Sequence, residues 1–416
     1  MKKIVLVSLA ASTVLMAGGY KIPENSISAT ALSAAYVANA HGASATYYNP
    51  ANMVFDSDGN KIEAALTNIM LGEIKFEGEA PTAGSGIPDS SGSTSESEFF
   101  LVPTIHYVSP MVGNFRFGAS VVVPAGLSKR WEDQPAKGYA NEFTLETIEF
   151  NPTVAYKIVD SLAIAGGVRV AYTSGVVKSA STASRDMDGD SIDFGYNLAI
   201  SYRPIKPLSL AVTYRSNIDL TVDGTAKLYF PDNGDYTGPK IYDGDAKVTV
   251  PIPAALNIAA AYTFNEGNEY STTVELVYER TYWSSYETLD FDYAGSIGPL
   301  TPGYDDPIAK DWEDTNTFRV GVTQKIKAFD VMVGFAYDET PVPEKTLNFE
   351  LPDSDAWIFS AGMMYNMTDS WSIGGAVLMD VKEDRTIDKN VNENKIDGEF
   401  SDMGAVMVTL GAEFRF

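Results

Sequence analysis

From about residue 60 to the C-terminus, large apolar side chains alternate with small or polar ones. In residues 162–173 one parity carries Leu, Ile, Val and Tyr, and the other carries Ala, Gly, Arg and Thr. Residues 194–203 and 318–323 repeat this pattern. A period of two predicts β-strands with one apolar and one polar face. The apolar face either packs on a second sheet or faces lipid outside a membrane barrel.

The connections between the strands decide between these two arrangements. Long and short connections alternate without exception, as in outer-membrane barrels, which have short turns on one side and long loops on the other. We therefore predict an all-β fold, a fourteen-stranded antiparallel transmembrane β-barrel over residues 61–416. The predicted strands are 61–76, 98–108, 114–126, 144–158, 161–177, 191–203, 207–221, 246–264, 269–283, 312–326, 329–338, 355–367, 370–380 and 402–416.

The first residues have the pattern of a secretory signal peptide. Lys2 and Lys3 precede an apolar run, 4–16, and small residues follow it at 17–19. This run is too short to cross a bilayer core of about 30 Å as a helix. We expect residues 1–17 to be removed on export, with cleavage after Ala17, give or take two residues.

Composition and charge exclude several function classes. The 416 residues include 55 acidic and 30 basic side chains, for a net charge of −25, which argues against nucleic-acid binding. The chain has no Cys and only two His, so we expect no metal site and no cofactor. Predicted loops 77–98 and 284–311 are acidic. They are either a solvated surface or a place where divalent cations bridge carboxylates to lipopolysaccharide phosphates.

The last strand alternates to the end of the chain and carries Phe414 and Phe416. A terminal amphipathic strand that ends in an aromatic residue resembles the assembly signal of bacterial outer-membrane proteins. This resemblance implies recognition by the barrel assembly machinery. We expect the protein to be a monomer in the outer membrane, in contact with its lipid and lipopolysaccharide.

Residues 18–60 lack the strand alternation and include the motif Asn49-Pro50-Ala51. About forty residues ahead of the first strand suggest a plug in the lumen. Residues 18–20, 48–53, 150–157, 317–321 and the pair 337–343 and 351–355 resemble blocks of the FadL/TodX family of outer-membrane transporters. The resemblance implies a fourteen-stranded barrel with a hatch over residues 18–60. It also implies uptake of long-chain fatty acids or other hydrophobic compounds, for which no catalytic group is needed.

Several arginines fall on the lumen-facing parity, and Arg169 and Arg319 are the candidates for holding a carboxylate head group. The alternative is that they pair with acidic residues of the hatch, such as Glu24, and hold it in place. The other lumen-facing arginines are Arg116, Arg203, Arg215 and Arg415. Residues 173–177 read Thr-Ser-Gly-Val-Val where a fatty-acid-binding relative carries basic residues, which favours neutral hydrocarbons.

The third predicted strand is interrupted at Pro124 and Gly126. Proline cannot donate to the ladder, and a closed barrel has no edge to hold it, so we expect a local break that allows lateral exit of an apolar ligand. The alternative is that Pro124 ends the strand at the outer loop. Pro251 and Pro253 are interpreted as the start of a later strand.

Two other function classes remain open. A general diffusion porin predicts an open lumen and steady ion conductance. An outer-membrane hydrolase needs a nucleophile and a base. His106 lies on the lumen parity, and Ser120 and Ser209 lie elsewhere in the chain. No Ser-His-acid spacing stands out, and we predict that His41 and His106 are buried structural residues.

Overall fold

The computed structural model describes residues 18–81, 88–89 and 92–416, so the predicted signal peptide lies outside the described residues. Fourteen antiparallel strands close into a barrel, because β1 pairs with β14 on one side and with β2 on the other. The strands are β1 Lys61–Leu71, β2 Glu98–Val108, β3 Phe115–Val122 continued as Gly126–Arg130, β4 Glu142–Val159, β5 Leu162–Ala180, β6 Ser184–Ile205, β7 Leu208–Arg215 continued as Ile218–Tyr229, β8 Lys240–Ile252 continued as Ala254–Phe264, β9 Thr272–Tyr282, β10 Thr315–Ile326, β11 Phe329–Asp338, β12 Ala356–Asn366, β13 Trp371–Lys382 and β14 Gly404–Arg415.

The apolar parity of the strands faces outward, as a membrane barrel requires. Leu198, Ile200 and Phe318 are about half exposed on the outer face, whereas Ala199 and Arg319 on the opposite parity are buried. The predicted fold class is confirmed.

The hairpins on the long-loop side extend further than predicted. β5 and β6 are joined by a turn at 181–183, where the sequence predicted a loop over 178–190. The ladder continues there with polar outward residues such as Asp188, because strand pairing does not end where the apolar band ends. The interpretation as a strand start is wrong for Pro251, which lies inside the first segment of β8 and pairs with Asp219 of β7. Pro253 directly precedes the second segment of β8, which starts at Ala254.

Shorter elements cover the outer end of the barrel around an aromatic cluster. The Trp131 ring lies 5.4 Å from that of Phe349, which in turn packs on Phe76 and Phe400. The cover consists of strands Lys75–Pro81, Pro88–Asp89, Ser93–Thr94, Thr288–Leu289, Phe291–Tyr293, Ile308–Ala309, Arg385–Ile387 and Asp397–Ser401, helices Ala136–Ala140 and Thr301–Tyr304, and 3₁₀ turns Trp283–Ser285 and Gly298–Leu300.

Residues 18–60, here called the plug segment, lie against the lumen-facing side of the strands. They form helices Ile27–Ala31 and Ala45–Tyr48 and the 3₁₀ turn Pro50–Phe55. The backbone of this segment touches the wall so closely that a Cβ on Gly334 would lie 2.1 Å from the carbonyl carbon of Leu32. Among the described residues, no helix is long and apolar enough to cross a membrane.

Candidate ligand-binding cavity and wall break

The Asn49-Pro50-Ala51 motif ties the plug segment to itself and to the wall. The Asn49 Nδ2 donates to the carbonyl oxygen of Val37 at 2.9 Å and to the Ser201 Oγ of β6 at 2.8 Å. Pro50 is the first residue of the 3₁₀ turn, where its missing N–H leaves no donor unpaired. Ala51 is fully buried. The motif therefore holds two parts of the plug segment together and attaches the segment to the wall.

Two further side chains from the wall hold the plug segment through its backbone. The Glu275 carboxylate of β9 accepts hydrogen bonds from three successive N–H groups, those of residues 37–39. At the other end, the buried Arg116 guanidinium of β3 donates to the carbonyl oxygens of Met53, Asp56, Ser57 and Gly59. A carboxylate has several acceptor sites and a guanidinium has several N–H donors. Each side chain can therefore bind several neighbouring backbone groups at once.

A small cavity lies between the plug segment and the wall at mid-barrel. Its volume is about 70 Å³, whereas pockets that hold a drug-sized ligand span about 300–1,000 Å³. Four cationic side chains and one carboxylate line it, together with apolar residues of the plug segment and of β8. The charged residues are Lys21, Arg169, Arg215, Arg319 and Glu279.

Arg169, one of the two predicted head-group residues, is bound to a wall carboxylate. Its Nε lies 2.9 Å from the Glu149 Oε2, and its Nη1 donates to the carbonyl oxygen of Ser216. Glu149 also pairs with Arg215, whose guanidinium lies 4.2 Å from the ring centroid of Tyr47. The two arginines share one carboxylate, so this side of the cavity has an excess of positive charge.

Arg319, the other predicted head-group residue, contacts both the plug segment and the wall. Its Nη1 donates to the Ser33 carbonyl oxygen at 3.0 Å, and its Nη2 lies 3.3 Å from the Glu279 Oε1. The same carboxylate oxygen accepts from the Lys21 Nζ at 2.8 Å. Arg319 therefore contacts the plug segment, as the hatch-anchoring hypothesis expects, and also lines the cavity, as the head-group hypothesis expects.

Strand β3 is broken where the sequence places Pro124 and Gly126, and the strap, residues 18–25 of the plug segment, pairs with the break. The Ile22 N–H donates to the Pro124 carbonyl oxygen, and the Gly126 N–H donates to the Tyr20 carbonyl oxygen, both at 2.9 Å. The strand resumes at Gly126, so Pro124 does not end it at the outer loop.

The break also separates β3 from β2. Within the described residues these strands pair only at 105–108 with 118–121, although β2 pairs with β1 along its whole length. On the long-loop side of the unpaired stretch, the Glu98 carboxylate accepts a hydrogen bond from the Ser128 Oγ and forms an ion pair with Arg130. This leaves an interval in the wall ladder between residues 99–104 and 122–127. We call it the β2–β3 interval.

His106 and Ser120 are in contact on neighbouring strands. The His106 Nδ1 lies 2.9 Å from the Ser120 Oγ, and its Nε2 lies 2.8 Å from the carbonyl oxygen of Asn25. Both side chains are buried beneath the strap, and a carbonyl takes the position that an acid would hold in a catalytic triad. The prediction of a buried, hydrogen-bonded histidine is confirmed for His106 and is wrong for His41, which is exposed.

At the C-terminus, Phe414 pairs with Ile62 of β1 and with Trp371 of β13, so the last strand closes the barrel. The Phe416 side chain is exposed, and its ring stacks on that of Phe414 with centroids 5.2 Å apart.

Sequence reasoning passed over two cavity residues, Arg215 and Lys21. Parity identified Arg215 as lumen-facing but gave no depth along the barrel. Lys21 lies in a segment without alternation, where no periodic signal assigns a face. The inward parity of Glu149 and Glu279 was the available signal, because buried cations in a wall require carboxylate partners.

The chain matches a family model described as outer membrane protein transport protein (OMPP1/FadL/TodX) over residues 8–416. It is 26% identical to a long-chain fatty acid transport protein of Escherichia coli O6:H1 over 307 residues, which cover 65% of this chain and 67% of the relative. It is 23% identical to outer membrane protein P1 of Haemophilus influenzae, and the match covers 90% of this chain and 89% of the relative.

Two solved structures have the same fold. A FadL homologue of Pseudomonas aeruginosa superposes with a TM-score of 0.82 at 21% identity and covers 96% of this chain and 100% of its own. The toluene transporter TodX of Pseudomonas putida superposes with a TM-score of 0.69 at 15% identity and covers 98% of this chain and 100% of its own.

Proposed function

Because the chain belongs to the OMPP1/FadL/TodX family of outer-membrane transport proteins, we propose that it takes up long-chain fatty acids or other hydrophobic compounds passively, through a plugged barrel with lateral exit. Relatives of known name support both substrate classes, since one is a long-chain fatty acid transport protein and another is a toluene transporter. The family's transport role also argues against the hydrolase alternative.

The β2–β3 interval is the observation that carries the proposal. An apolar ligand released into the aqueous periplasm would expose its tail to water, at a cost of about 0.8 kcal/mol per methylene. An exit through the wall delivers the ligand directly to the bilayer. The interval lies beside outward-facing, apolar Phe99 and Leu101, and the strap lies directly behind it.

Ligand entry requires the strap to move. The cavity is too small for an acyl chain, and Lys21, Ile22 and Pro23 of the strap line it together with the arginines and Pro124. Displacement of these residues would enlarge the cavity and uncover the interval in one step. The plug segment therefore acts as a hatch, and a general diffusion porin with an open lumen is disfavoured.

A carboxylate head group would be held by Arg169 and Arg319, with Arg215 beside them. Removal of the strap takes Lys21 away from Glu279 and leaves three arginines with two carboxylates, a surplus that a ligand carboxylate can satisfy. A neutral hydrocarbon would use only the apolar lining. The two substrate classes therefore differ in their dependence on these arginines.

The proposal is tested by uptake of oleate and of toluene in cells with and without the gene, and by a variant with a sealed wall. Pro124→Val with Gly126→Thr should extend β3, close the interval and abolish uptake while folding and ligand binding persist. Pro152→Val is the matched control, because Pro152 is a proline of β4 that lies opposite Ala119 of β3 and outside the β2–β3 interval. Normal uptake by the sealed variant, with its wall closed, would exclude this exit.

A further inference from the structure

The side chain of Tyr20, in the strap, lies among three aromatic side chains of the wall. Its ring centroid is 4.8 Å from that of Trp283, 5.6 Å from that of Trp312 and 6.3 Å from that of Tyr286. The contacts with Trp283 and Tyr286 are edge-to-face, which is an arrangement that aromatic pairs prefer. The Tyr20 hydroxyl donates to the carbonyl oxygen of Pro251 in β8. Tyr20 is thus held by rings around its own ring and by one acceptor at its hydroxyl.

The three wall rings also hold one another. The Trp312 ring lies 4.9 Å from that of Trp283 and 4.9 Å from that of Tyr286. All three belong to the connection between β9 and β10, whereas Tyr20 belongs to the strap. We call Trp283, Tyr286 and Trp312 the ring site. Displacement of the strap removes one ring and leaves the ring site in place.

The backbone of the strap lies directly on the ring site. A Cβ on Gly19 would lie 2.7 Å from the Trp283 ring and 3.0 Å from the Trp312 ring, so only glycine allows this approach. When the strap moves away, these two indole rings are uncovered together with the space of the Tyr20 ring. The Pro251 carbonyl oxygen loses the Tyr20 donor in the same step.

The ring site lies between two larger spaces in the barrel. A gap of about 20 Å³ beside Tyr20, Tyr286 and Trp312 shares Asn348 and Glu350 with a pocket of about 550 Å³ at the outer end. On the inner side, Lys21 follows Tyr20 and lines the mid-barrel cavity. A ligand that moves from the outer pocket to the cavity therefore passes the ring site.

We propose that the ring site binds a monocyclic aromatic compound with a hydroxyl group, a phenol, in the place of the Tyr20 side chain. This inference rests on the proposed function, because it requires the strap to move. The tyrosine side chain has the structure of p-cresol, so Tyr20 shows the ring position and the hydrogen bond that such a ligand would adopt. Ligand and Tyr20 exclude each other, and a bound phenol would hold the strap in its displaced position.

Other ligand classes fit the vacated space less well. An aliphatic compound has no ring to make edge-to-face contacts with the three wall rings. A hydrocarbon such as toluene makes those contacts but offers no donor to the Pro251 carbonyl oxygen. A carboxylate would place an acceptor against this acceptor. A phenol supplies both the ring and the donor.

The first test compares p-cresol with 4-methylcyclohexanol, which has the same substituents but no aromatic ring. In planar bilayers with the wild-type protein, p-cresol should increase the frequency of ion-conducting openings, because it competes with Tyr20 and keeps the strap displaced. Three lost aromatic pairs predict that 4-methylcyclohexanol needs a concentration at least about tenfold higher. Equal potency of the two compounds would overturn the proposal.

The second test uses Tyr20→Ala, in which the ligand should have the opposite effect. This variant should conduct more than the wild type, and p-cresol should lower its conductance, because the ligand then fills the empty space beneath a closed strap. A displaced state populated at about 10% or less weakens apparent binding to the wild type at least about tenfold relative to the variant. Titration followed by tryptophan fluorescence measures this ratio, since two of the five tryptophans line the site. Equal affinities, or a rise in conductance of the variant with p-cresol, would contradict the proposal.

The third test removes part of the ring site from the wall and leaves the strap intact. Trp312→Leu should abolish the difference in potency between p-cresol and 4-methylcyclohexanol. Trp357→Leu is the matched control and should keep the difference, because Trp357 packs on Phe335 and Tyr337 on the outer face. A difference that persists in Trp312→Leu would place the phenol elsewhere and overturn the proposal.

These measurements separate the inference from the proposed function. Cells that take up oleate and toluene only with the gene, combined with equal potency of the two test compounds, would leave the proposed function standing and remove the phenol site. Absence of uptake combined with selective binding of p-cresol would have the reverse meaning.

Discussion

The Lys21 ammonium of the strap binds the Glu279 carboxylate of β9 at 2.8 Å, while the backbone of Lys21 faces Ala125 in the break of β3. One residue therefore connects two parts of the wall across the lumen. Lys21→Gln should loosen the strap and produce brief ion-conducting openings in planar bilayers, because Glu279 keeps only Arg319 as its charged partner. As the control, Lys227→Gln removes an exposed ion pair in an outer hairpin and should leave the ion conductance in planar bilayers unchanged.

Deletion of residues 18–55 should leave a folded barrel that conducts small ions. The wall closes through β1 and β14, and neither strand needs the plug segment for its pairing. Replacement of Asn49 and Pro50 together should give an intermediate leak, because Asn49 links the segment to β6. A truncated barrel that does not conduct would show that the segment is not a plug.

Arg169→Ala and Arg319→Ala should reduce oleate uptake more than toluene uptake. A lost charge-assisted hydrogen bond costs about 1.5–3 kcal/mol, roughly a tenfold effect or more on binding. Arg203→Ala is the control, since Arg203 faces the lumen but does not line the cavity and instead stacks on Phe55. An equal loss for both substrates would assign Arg169 and Arg319 to hatch anchoring.

The barrel could be predicted because strand alternation and loop length are local properties of the chain. Pro124 was informative for the same reason, since it interrupts an otherwise regular strand. Pro251 was misjudged because a proline inside a paired strand and one that starts a strand look alike in sequence. The cavity could not be predicted in full, because the position of Lys21 depends on how a non-periodic segment packs inside the closed wall.

Arg116 should contribute more to holding the plug segment than either predicted head-group residue. Its guanidinium donates to four carbonyl oxygens between Met53 and Gly59, and to a fifth at Ser109. Arg116→Lys keeps the charge but loses the planar fork of donors, so several of these carbonyls, the buried one of Met53 among them, lose their partner. We expect both Arg116→Lys and Arg116→Ala to lower the midpoint of urea unfolding and to raise ion leak. If Arg116→Lys behaves like the wild type, charge rather than donor geometry is what matters.

The junction between the plug segment and β1 should weaken at acidic pH. Burial raises the pKa of Asp56, but the ion pair with Lys61 at 2.6 Å and the N–H of Gly42 outweigh it and lower the pKa to about 2. Because the folded pKa lies below the unfolded value of about 3.9, the contribution of Asp56 is complete above pH 4 and is lost as the pH falls towards 2. The loss should amount to about 2 kcal/mol in the free energy of unfolding. Urea unfolding at pH 7, 4 and 2.5 measures it. Asp56→Asn should remove this part of the pH dependence, whereas Asp369→Asn, at an exposed turn, should retain it.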